Sequence, residues 1–183
     1  MRIISGKFAK RNLFTLKSQK TRPTSDKVKE SLFNSLGQFF AGGQVLDLYG
    51  GSGALAIEAV SRGYSHAAIV DINYQAVAII RKNVALTGEE NRFDVYKMSS
   101  NLALKQFSIK GQKFDLVFLD PPYAKQQISA DMQKMVRLDL LAEQAVVVAE
   151  TDEGSNLGEV SGFSLEKQHH LGRTIVSFYR KEK

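Results

Sequence analysis

The sequence predicts an α/β fold, a doubly wound and mostly parallel seven-stranded sheet that ends in an antiparallel hairpin. From position 44 onward, short apolar runs alternate with stretches of helical periodicity at the spacing of β–α–β units. Such alternation places parallel strands in one sheet with helices on both faces. Near the end of the chain, two strand-like runs are separated only by Leu171-Gly172-Arg173, which is typical of a hairpin.

The individual elements follow from apolar periodicity and from turn residues. Pro23 and Thr24 begin a helix whose apolar residues recur every four positions up to Leu36, before Gly37 ends it. Residues 2–16 alternate loosely and predict a short hairpin or an extended arm. The predicted strands are 45–49, 67–72, 93–96, 114–119, 145–150, 163–170 and 174–179. The predicted helices between them are 54–62, 75–86, 101–107 and 130–141.

Length and composition limit the classes of protein to consider. A chain of 183 residues fits one domain, which we expect to span 23–183 behind a basic arm at 1–22. There is no cysteine, so disulfides and cysteine-based zinc sites are excluded, and three scattered histidines predict no metal site. No apolar run approaches the length of a membrane span. We therefore expect a cytoplasmic protein that needs neither a membrane nor an oligomer.

The positive charge is concentrated at the N-terminus. The net charge is +6, and residues 1–30 hold nine lysines and arginines against two acidic side chains. This segment also contains Phe8, Asn12 and Phe14. Cations interleaved with aromatic residues suit a polyanion with exposed bases, because phosphates bind the cations and bases stack on the rings. A solvated tail is the alternative, but the alternation of apolar residues argues against it.

A glycine-rich turn follows the first predicted strand. The segment Asp47-Leu-Tyr-Gly-Gly-Ser-Gly53 stands between a strand and a helix, and Asp71 ends the next strand 20 residues beyond Gly51. A backbone without side chains lets a ligand approach closely, and an acid at this spacing suits a ribose. These features also fit a dinucleotide. Asp47 favours S-adenosylmethionine, because an acid just before the turn suits an ammonium and a sulfonium better than a pyrophosphate.

The tetrapeptide Asp120-Pro121-Pro122-Tyr123 directly follows the predicted strand 114–119. Ligands of open α/β sheets bind beyond the carboxyl ends of the strands, so we expect it to face the glycine turn. An exocyclic amine of a base is a poor nucleophile, since its lone pair is delocalised into the ring. The carboxylate and the Pro121 carbonyl suit both amine hydrogens, and two prolines hold that carbonyl rigidly. Tyr123 offers a face for a flipped-out base.

Taken together, these motifs resemble a known family, the RsmD-type 16S rRNA (guanine-N2)-methyltransferases of the Rossmann-like class I superfamily. The opening Arg2-Ile-Ile-Ser-Gly-Lys7 resembles the family's R-I-I-x-G-K, and residues 21–34 resemble its R-P-T-x-D-x-V-[RK]-E-x-L-F-N helix. The glycine turn is similar to D-L-[FY]-A-G-S-G, and the tetrapeptide matches D-P-P-[FY]. Gly50 stands where the family usually has Ala, a departure expected only to loosen the turn.

The resemblance implies methylation of guanine N2 in 16S rRNA, with S-adenosylmethionine as the donor and an assembling 30S subunit as the substrate. Where related enzymes often carry an Asp near the adenine, this chain has Met98-Ser99, so Ser99 or a backbone group is the expected substitute. The predicted catalytic residues are Asp120, Pro121, Pro122 and Tyr123. The predicted cofactor contacts are Thr24, Asp47, Tyr49, Gly51, Ser52, Gly53, Asp71, Ile72 and Ser99. The predicted RNA contacts are Arg2, Lys7, Lys10, Arg11, Lys17, Lys20 and Arg22, of which Arg22, like Thr24, is expected to adjoin the cofactor.

Three other functions remain open from the residues alone. The first is methylation of adenine N6 or cytosine N4 in DNA or another RNA, although no segment is long enough for the target-recognition domain of the DNA enzymes. The second is a nicotinamide-dependent oxidoreductase, which Asp47 disfavours. The third is a non-catalytic RNA-binding module, which the intact corner at Asp120 disfavours. The adjacent His169 and His170 point to opposite faces of a strand and are expected to be structural.

Overall fold

The computed structural model describes residues 1–16, 26–122, 124–155 and 157–182. Seven strands form one sheet in the order β3-β2-β1-β4-β5-β7-β6, in which β1 to β5 are parallel and β7 is antiparallel to both of its neighbours. The predicted fold class is confirmed. The strands are β1 Gln44–Asp47, β2 His66–Asp71, β3 Phe93–Lys97, β4 Phe114–Leu119, β5 Leu141–Asp152, β6 Phe163–Leu171 and β7 Thr174–Lys181. The helices are α1 Asp26–Leu36, α2 Ala54–Ser61, α3 Tyr74–Ala85, α4 Ser100–Ile109 and α5 Ala124–Arg137.

The core is divided by the sheet into two apolar layers. One layer contains side chains of α1, α2 and α3 together with one face of β1, β2 and β4. The other contains side chains of α4 and α5 against the opposite face. Parallel strands that are covered on both faces have to be apolar throughout, and β4 accordingly buries four successive residues from Leu116. Within the described residues, no helix is long and apolar enough to cross a membrane.

The last helix differs from its predicted bounds of 130–141. It starts at Ala124, close behind the two prolines, and ends at Arg137. The chain turns sharply at Asp139, which takes a left-handed φ of 53°, and Leu140 donates back to the Met135 carbonyl at 3.0 Å. Leu141 therefore enters β5 instead of ending the helix. The predicted end was wrong because apolar residues continue across this turn without a glycine or proline.

The first sixteen residues fold back on themselves and lie against the helices. Arg2 and Asn12 form an antiparallel bridge, and the Ile3 amide donates to the Arg11 carbonyl at 2.9 Å. Ile3 and Phe8 are fully buried in the layer that contains α1 and α2. The segment 1–16, called the N-terminal hairpin below, is thus packed against the domain.

Glu58 of α2 anchors this hairpin from within the core. Its carboxylate accepts the Ile4 and Ser5 amides at 2.8 and 2.9 Å, and it pairs with Lys29 of α1 at 3.1 Å and with Arg62 at 2.8 Å. Lys29 and Glu58 are fully buried. A buried carboxylate is stable when its lone pairs are used, so these four donors connect the hairpin, α1 and α2.

Candidate active site

The glycine turn and the Asp120 corner lie at the same edge of the sheet. Strands β1 and β4 are parallel neighbours, with Asp47 in register with Phe118, and the Leu48 amide donates to the Phe118 carbonyl at 3.2 Å. The residues that follow each strand therefore leave the sheet side by side. One is the turn 50–53, which leads into α2, and the other is Asp120-Pro121-Pro122, which leads into α5.

The glycine turn leaves its backbone accessible. Gly51 and Gly53 take left-handed φ angles of 57° and 77°, and the Gly53 amide donates to the Gly50 carbonyl at 2.6 Å. A Cβ built on Gly51 would meet no atom closer than the Tyr49 carbonyl oxygen at 4.0 Å, so the space beside it is open. Helix α2 begins immediately afterwards, and the amide of Ala56 in its first turn donates to the Asp47 carboxylate. The turn is built to hold a polar ligand against backbone.

Gly50 packs tightly against the sheet. A Cβ at this position would lie 2.5 Å from Cγ2 of Ile69 and 3.0 Å from Cδ1 of Ile80. The Gly50 amide also donates to the Val70 carbonyl of β2 at 2.8 Å. The expectation that glycine here only loosens the turn was therefore incomplete, because with Ile69 beside it the position has no room for a methyl group.

Asp71 at the end of β2 connects the glycine turn to the next loop. One carboxylate oxygen accepts the Gly51 amide at 2.9 Å, and the other accepts the Asn73 amide at 2.8 Å. Each oxygen keeps a lone pair for a further donor. The neighbouring Ile72 is 71% exposed, which is unusual for an apolar residue and leaves its side chain available to a ligand.

Two carboxyl groups at this edge have raised pKa values. Asp47 is only 4% exposed, and burial first, then the nearby charges of Asp120 and Asp71, raise its pKa to about 7. Asp120 opens to solvent on one side, yet the surrounding protein still raises its pKa to about 6 by desolvation. Among the described lysines and arginines, none forms an ion pair with Asp47, Asp71 or Asp120. The region between the glycine turn and the Asp120 corner, called the cleft below, is therefore suited to a cation.

Sequence reasoning missed the hydrogen bond that joins Tyr49 to α5. The Tyr49 hydroxyl donates to the Asp131 carboxylate, and Gln127 donates to the same group at 3.4 Å. Asp131 is buried, and burial raises its pKa. The bond links the residue before the glycine turn to the helix after the Asp120 corner. It also engages the hydroxyl of Tyr49, which leaves the backbone and ring of this predicted cofactor residue for a ligand.

The predicted RNA contacts of the N-terminal hairpin are exposed, and Lys7 lies at the far end of α2. The Lys7 amide bonds the Ser61 carbonyl at the far end of α2, and the Lys7 ammonium pairs with Glu89. Lys7 thus lies about 12 Å along α2 from the glycine turn, the length of eight helical residues. Arg2 lies close to Asp26, at 3.9 Å, and is exposed, as are Lys10 and Arg11.

Other predicted residues are placed as follows. Ser99 caps α4, where its hydroxyl accepts the Leu102 amide at 3.4 Å, and it is half-buried at the same edge of the sheet. Pro121 is buried and Pro122 is exposed.

His169 contacts the Ser35 hydroxyl at 2.8 Å and packs against Phe178, as expected for a structural residue. Five predicted residues lie outside the described part of the chain: Lys17, Lys20, Arg22, Thr24 and Tyr123.

Comparison with known proteins shows one family along the whole chain. The family model described as "Conserved hypothetical protein 95" matches residues 1–180. "Putative rRNA methyltransferase YlbH" of Bacillus subtilis is 37% identical over 182 residues, which are 99% of each chain. "Ribosomal RNA small subunit methyltransferase D" of Escherichia coli K12 is 29% identical over 183 residues, covering 100% of this chain and 90% of that protein.

Solved structures agree with the sequence matches. The "Putative methyltransferase yhhF from Escherichia coli" superposes with a TM-score of 0.85 at 27% identity, covering 100% of this chain and 98% of that one. An RNA methyltransferase from Salinibacter ruber, solved in complex with S-adenosyl-L-homocysteine, has a TM-score of 0.67 at 16% identity, covering 87% of this chain and 94% of that one. At that identity the likeness concerns the fold alone.

Proposed function

The chain belongs to the conserved hypothetical protein 95 family, and from this premise we propose that it transfers a methyl group from S-adenosylmethionine to the N2 amine of a guanine in 16S rRNA. One observation carries the proposal. The open glycine turn and the Asp120 corner leave adjacent parallel strands at one edge of the sheet. A donor held at the turn and an amine held at the corner are therefore neighbours. The names of the relatives from B. subtilis and E. coli support ribosomal RNA as the substrate.

The residues at the turn fit the proposed cofactor. The open space beside Gly51 admits a ligand against the backbone, and the buried Asp47 suits its ammonium group. The free lone pairs of Asp71 suit ribose hydroxyls, while the exposed Ile72 and the hydroxyl of Ser99 are available to its adenine end. When bound, S-adenosylmethionine supplies an electrophilic methyl group on a positively charged sulfur.

The corner at Asp120 has the groups that an amine acceptor needs. The carboxylate and the Pro121 carbonyl can each accept one amine hydrogen, which leaves the nitrogen lone pair free to attack the methyl carbon. As the carbon–nitrogen bond forms, the carbon–sulfur bond breaks and the nitrogen becomes acidic. One of its protons then passes to Asp120, whose pKa is about 6, and from its exposed side to water. Positioning supplies most of the acceleration in this scheme, since no strong base is required.

The experiment is transfer of a tritiated methyl group from S-adenosylmethionine to three substrates: undermethylated 30S particles, naked 16S rRNA and duplex DNA. We expect label in N2-methylguanosine from the ribosomal substrates. Label in N6-methyladenine or N4-methylcytosine would instead establish the alternative reaction on the base amine. Calorimetry with S-adenosylhomocysteine and with NAD separates the cofactors, and comparable binding of NAD would reject the methyl-transfer proposal.

Two variants test the role of the corner. Asp120→Ala should abolish methyl transfer while it leaves binding of S-adenosylhomocysteine largely intact. Asp139→Asn is the matched control, because Asp139 is an exposed acid that pairs with Lys113 and its left-handed backbone tolerates Asn. Full activity of Asp120→Ala, or an equal loss in the control, contradicts the assigned role.

A further inference from the structure

An exposed aromatic side chain stands beside the glycine turn. Leu13 is buried in the core, and the next residue, Phe14, points outward with 54% of its surface exposed. The other aromatic residue of the hairpin, Phe8, is fully buried and holds the hairpin to the domain. Of the two, only Phe14 therefore has a ring free to contact a partner.

The backbone of Phe14 is held by the buried side chain of Asn83. The Phe14 amide donates to Oδ1 of Asn83 at 2.8 Å, and Nδ2 of Asn83 donates to the Phe14 carbonyl at 2.9 Å. The same Nδ2 donates to the Ser52 carbonyl in the glycine turn at 2.8 Å. Asn83 is completely buried, so these hydrogen bonds are shielded from competing water. One side chain thus joins the hairpin, α3 and the glycine turn, and it fixes the backbone that carries the ring of Phe14.

The surroundings of Phe14 favour a nucleic acid partner over an apolar one. The hairpin that carries Phe14 contains four basic residues, Arg2, Lys7, Lys10 and Arg11, and no acidic one. A flat, exposed ring on a cationic segment suits a stacked base, because the basic residues of the segment can neutralise phosphates of the same strand. A protein partner would more often meet a continuous apolar surface.

We propose that Phe14 is a stacking platform for an unpaired base of the RNA strand that enters the cleft. The proposal rests on the RNA substrate proposed above and adds a second base subsite next to the glycine turn. Stacking on an aromatic ring tolerates any base, because every base has a π face. Phe14 therefore contributes affinity and orientation, and the corner at Asp120 retains the chemistry.

The experiment measures binding of an undermethylated 16S rRNA transcript by wild type, Phe14→Ala, Phe14→Leu and Phe14→Tyr over a range of salt concentrations. Phe14→Ala should weaken binding by about 5-fold to 160-fold, which is the range for loss of one stacked base. The salt dependence should not change, since no phosphate contact is removed. Phe14→Tyr should bind like wild type, whereas Phe14→Leu should remain weak because it keeps apolar area but no π face.

Phe39→Ala is the matched control. Phe39 is 67% exposed and follows α1, next to Phe40, whose amide bonds the Arg62 carbonyl just beyond the far end of α2. Its substitution should leave RNA binding unchanged. All variants should keep the wild-type affinity for S-adenosylhomocysteine and the wild-type melting temperature.

The outcomes separate an error in the stacking subsite from an error in the proposed methyl transfer. If wild type methylates rRNA and Phe14→Ala binds it equally well, the stacking subsite is wrong and the proposed function stands. If Phe14→Leu binds the transcript as tightly as wild type, the contact is apolar and not a stacked base, which also overturns the inference. If wild type does not bind the transcript and methylates neither the transcript nor undermethylated 30S particles, both proposals fall.

Discussion

Lowering the pH from 8 to 6 should weaken the binding of S-adenosylhomocysteine by about tenfold. The perturbation acts on Asp47, whose pKa of about 7 lies between these two values. Only the carboxylate form attracts the ammonium group of the ligand, so protonation competes with binding. The structural cause is burial of Asp47, reinforced by the neighbouring charges of Asp120 and Asp71.

The magnitude follows from the fraction of Asp47 that is ionised. With a pKa of about 7, protonation multiplies the dissociation constant by about 11 at pH 6 and by about 1.1 at pH 8. At pH 7 about half of the Asp47 side chains are protonated, so binding should release about half a proton per ligand. The released proton is detectable by calorimetry in two buffers that differ in their enthalpy of ionisation.

Asp47→Asn tests the assignment. The amide has nearly the same shape but no charge in this pH range, so the variant should bind weakly and with little dependence on pH. Asp94→Asn is the control, because Asp94 is an exposed acid that pairs with His66, and it should keep the wild-type pH profile. Affinity that is flat from pH 6 to 8 in wild type, or an unchanged slope in Asp47→Asn, would refute the reasoning.

Three further substitutions test the packing that supports the cleft. Glu58→Ala leaves the buried ammonium of Lys29 without its carboxylate, so the free energy of unfolding in urea should fall by about 3 to 5 kcal/mol. Loss of an exposed pair such as Glu166–Arg180 should lower it by less than about 1 kcal/mol. Asp131→Ala leaves the hydroxyl of Tyr49 without its acceptor and should lower the free energy of unfolding by about 1 to 3 kcal/mol in the same assay. Asp131→Asn retains an acceptor and should lower it less. Gly50→Ala should lower stability by about 1 to 3 kcal/mol through overpacking, and adding Ile69→Leu, which removes the methyl group nearest to the new Cβ, should recover part of that loss. An equally unstable double variant would show that the clash with Ile69 is not the cause.

The sequence predicted those parts of the fold that depend on residues close together along the chain. Alternating apolar runs and helical periods predicted the sheet and its two layers of helices, because each element must bury its own apolar face. The glycine turn was recognisable since Gly51 and Gly53 take φ angles that other residues rarely adopt. The end of α5 was mispredicted because Asp139 makes its turn in a left-handed conformation without glycine.

The polar groups that connect distant segments were not predictable in the same way. Glu58 lies in a helix that is apolar apart from Ser61, and nothing near it in sequence indicates that three of its donors come from the N-terminal hairpin and from α1. Asn83 did leave a trace, since it interrupts the buried face of α3 that contains Ile80 and Val84. A polar residue on an apolar helix face predicts a buried hydrogen-bonding partner, but its identity depends on the tertiary structure.

In the proposed reaction, the acids at the cleft also couple the donor site to the acceptor site. The charge of Asp120 helps to raise the pKa of Asp47, and by reciprocity the ionisation of Asp47 disfavours that of Asp120. A cation bound at the glycine turn stabilises both carboxylates and therefore lowers both pKa values. Below about pH 6, Asp120 is mostly protonated in the free protein and is then a poorer acceptor of amine hydrogens. Binding of the methyl donor thus shifts the acceptor corner toward its carboxylate form, so at mildly acidic pH the corner is best prepared for the amine when the methyl group is also present.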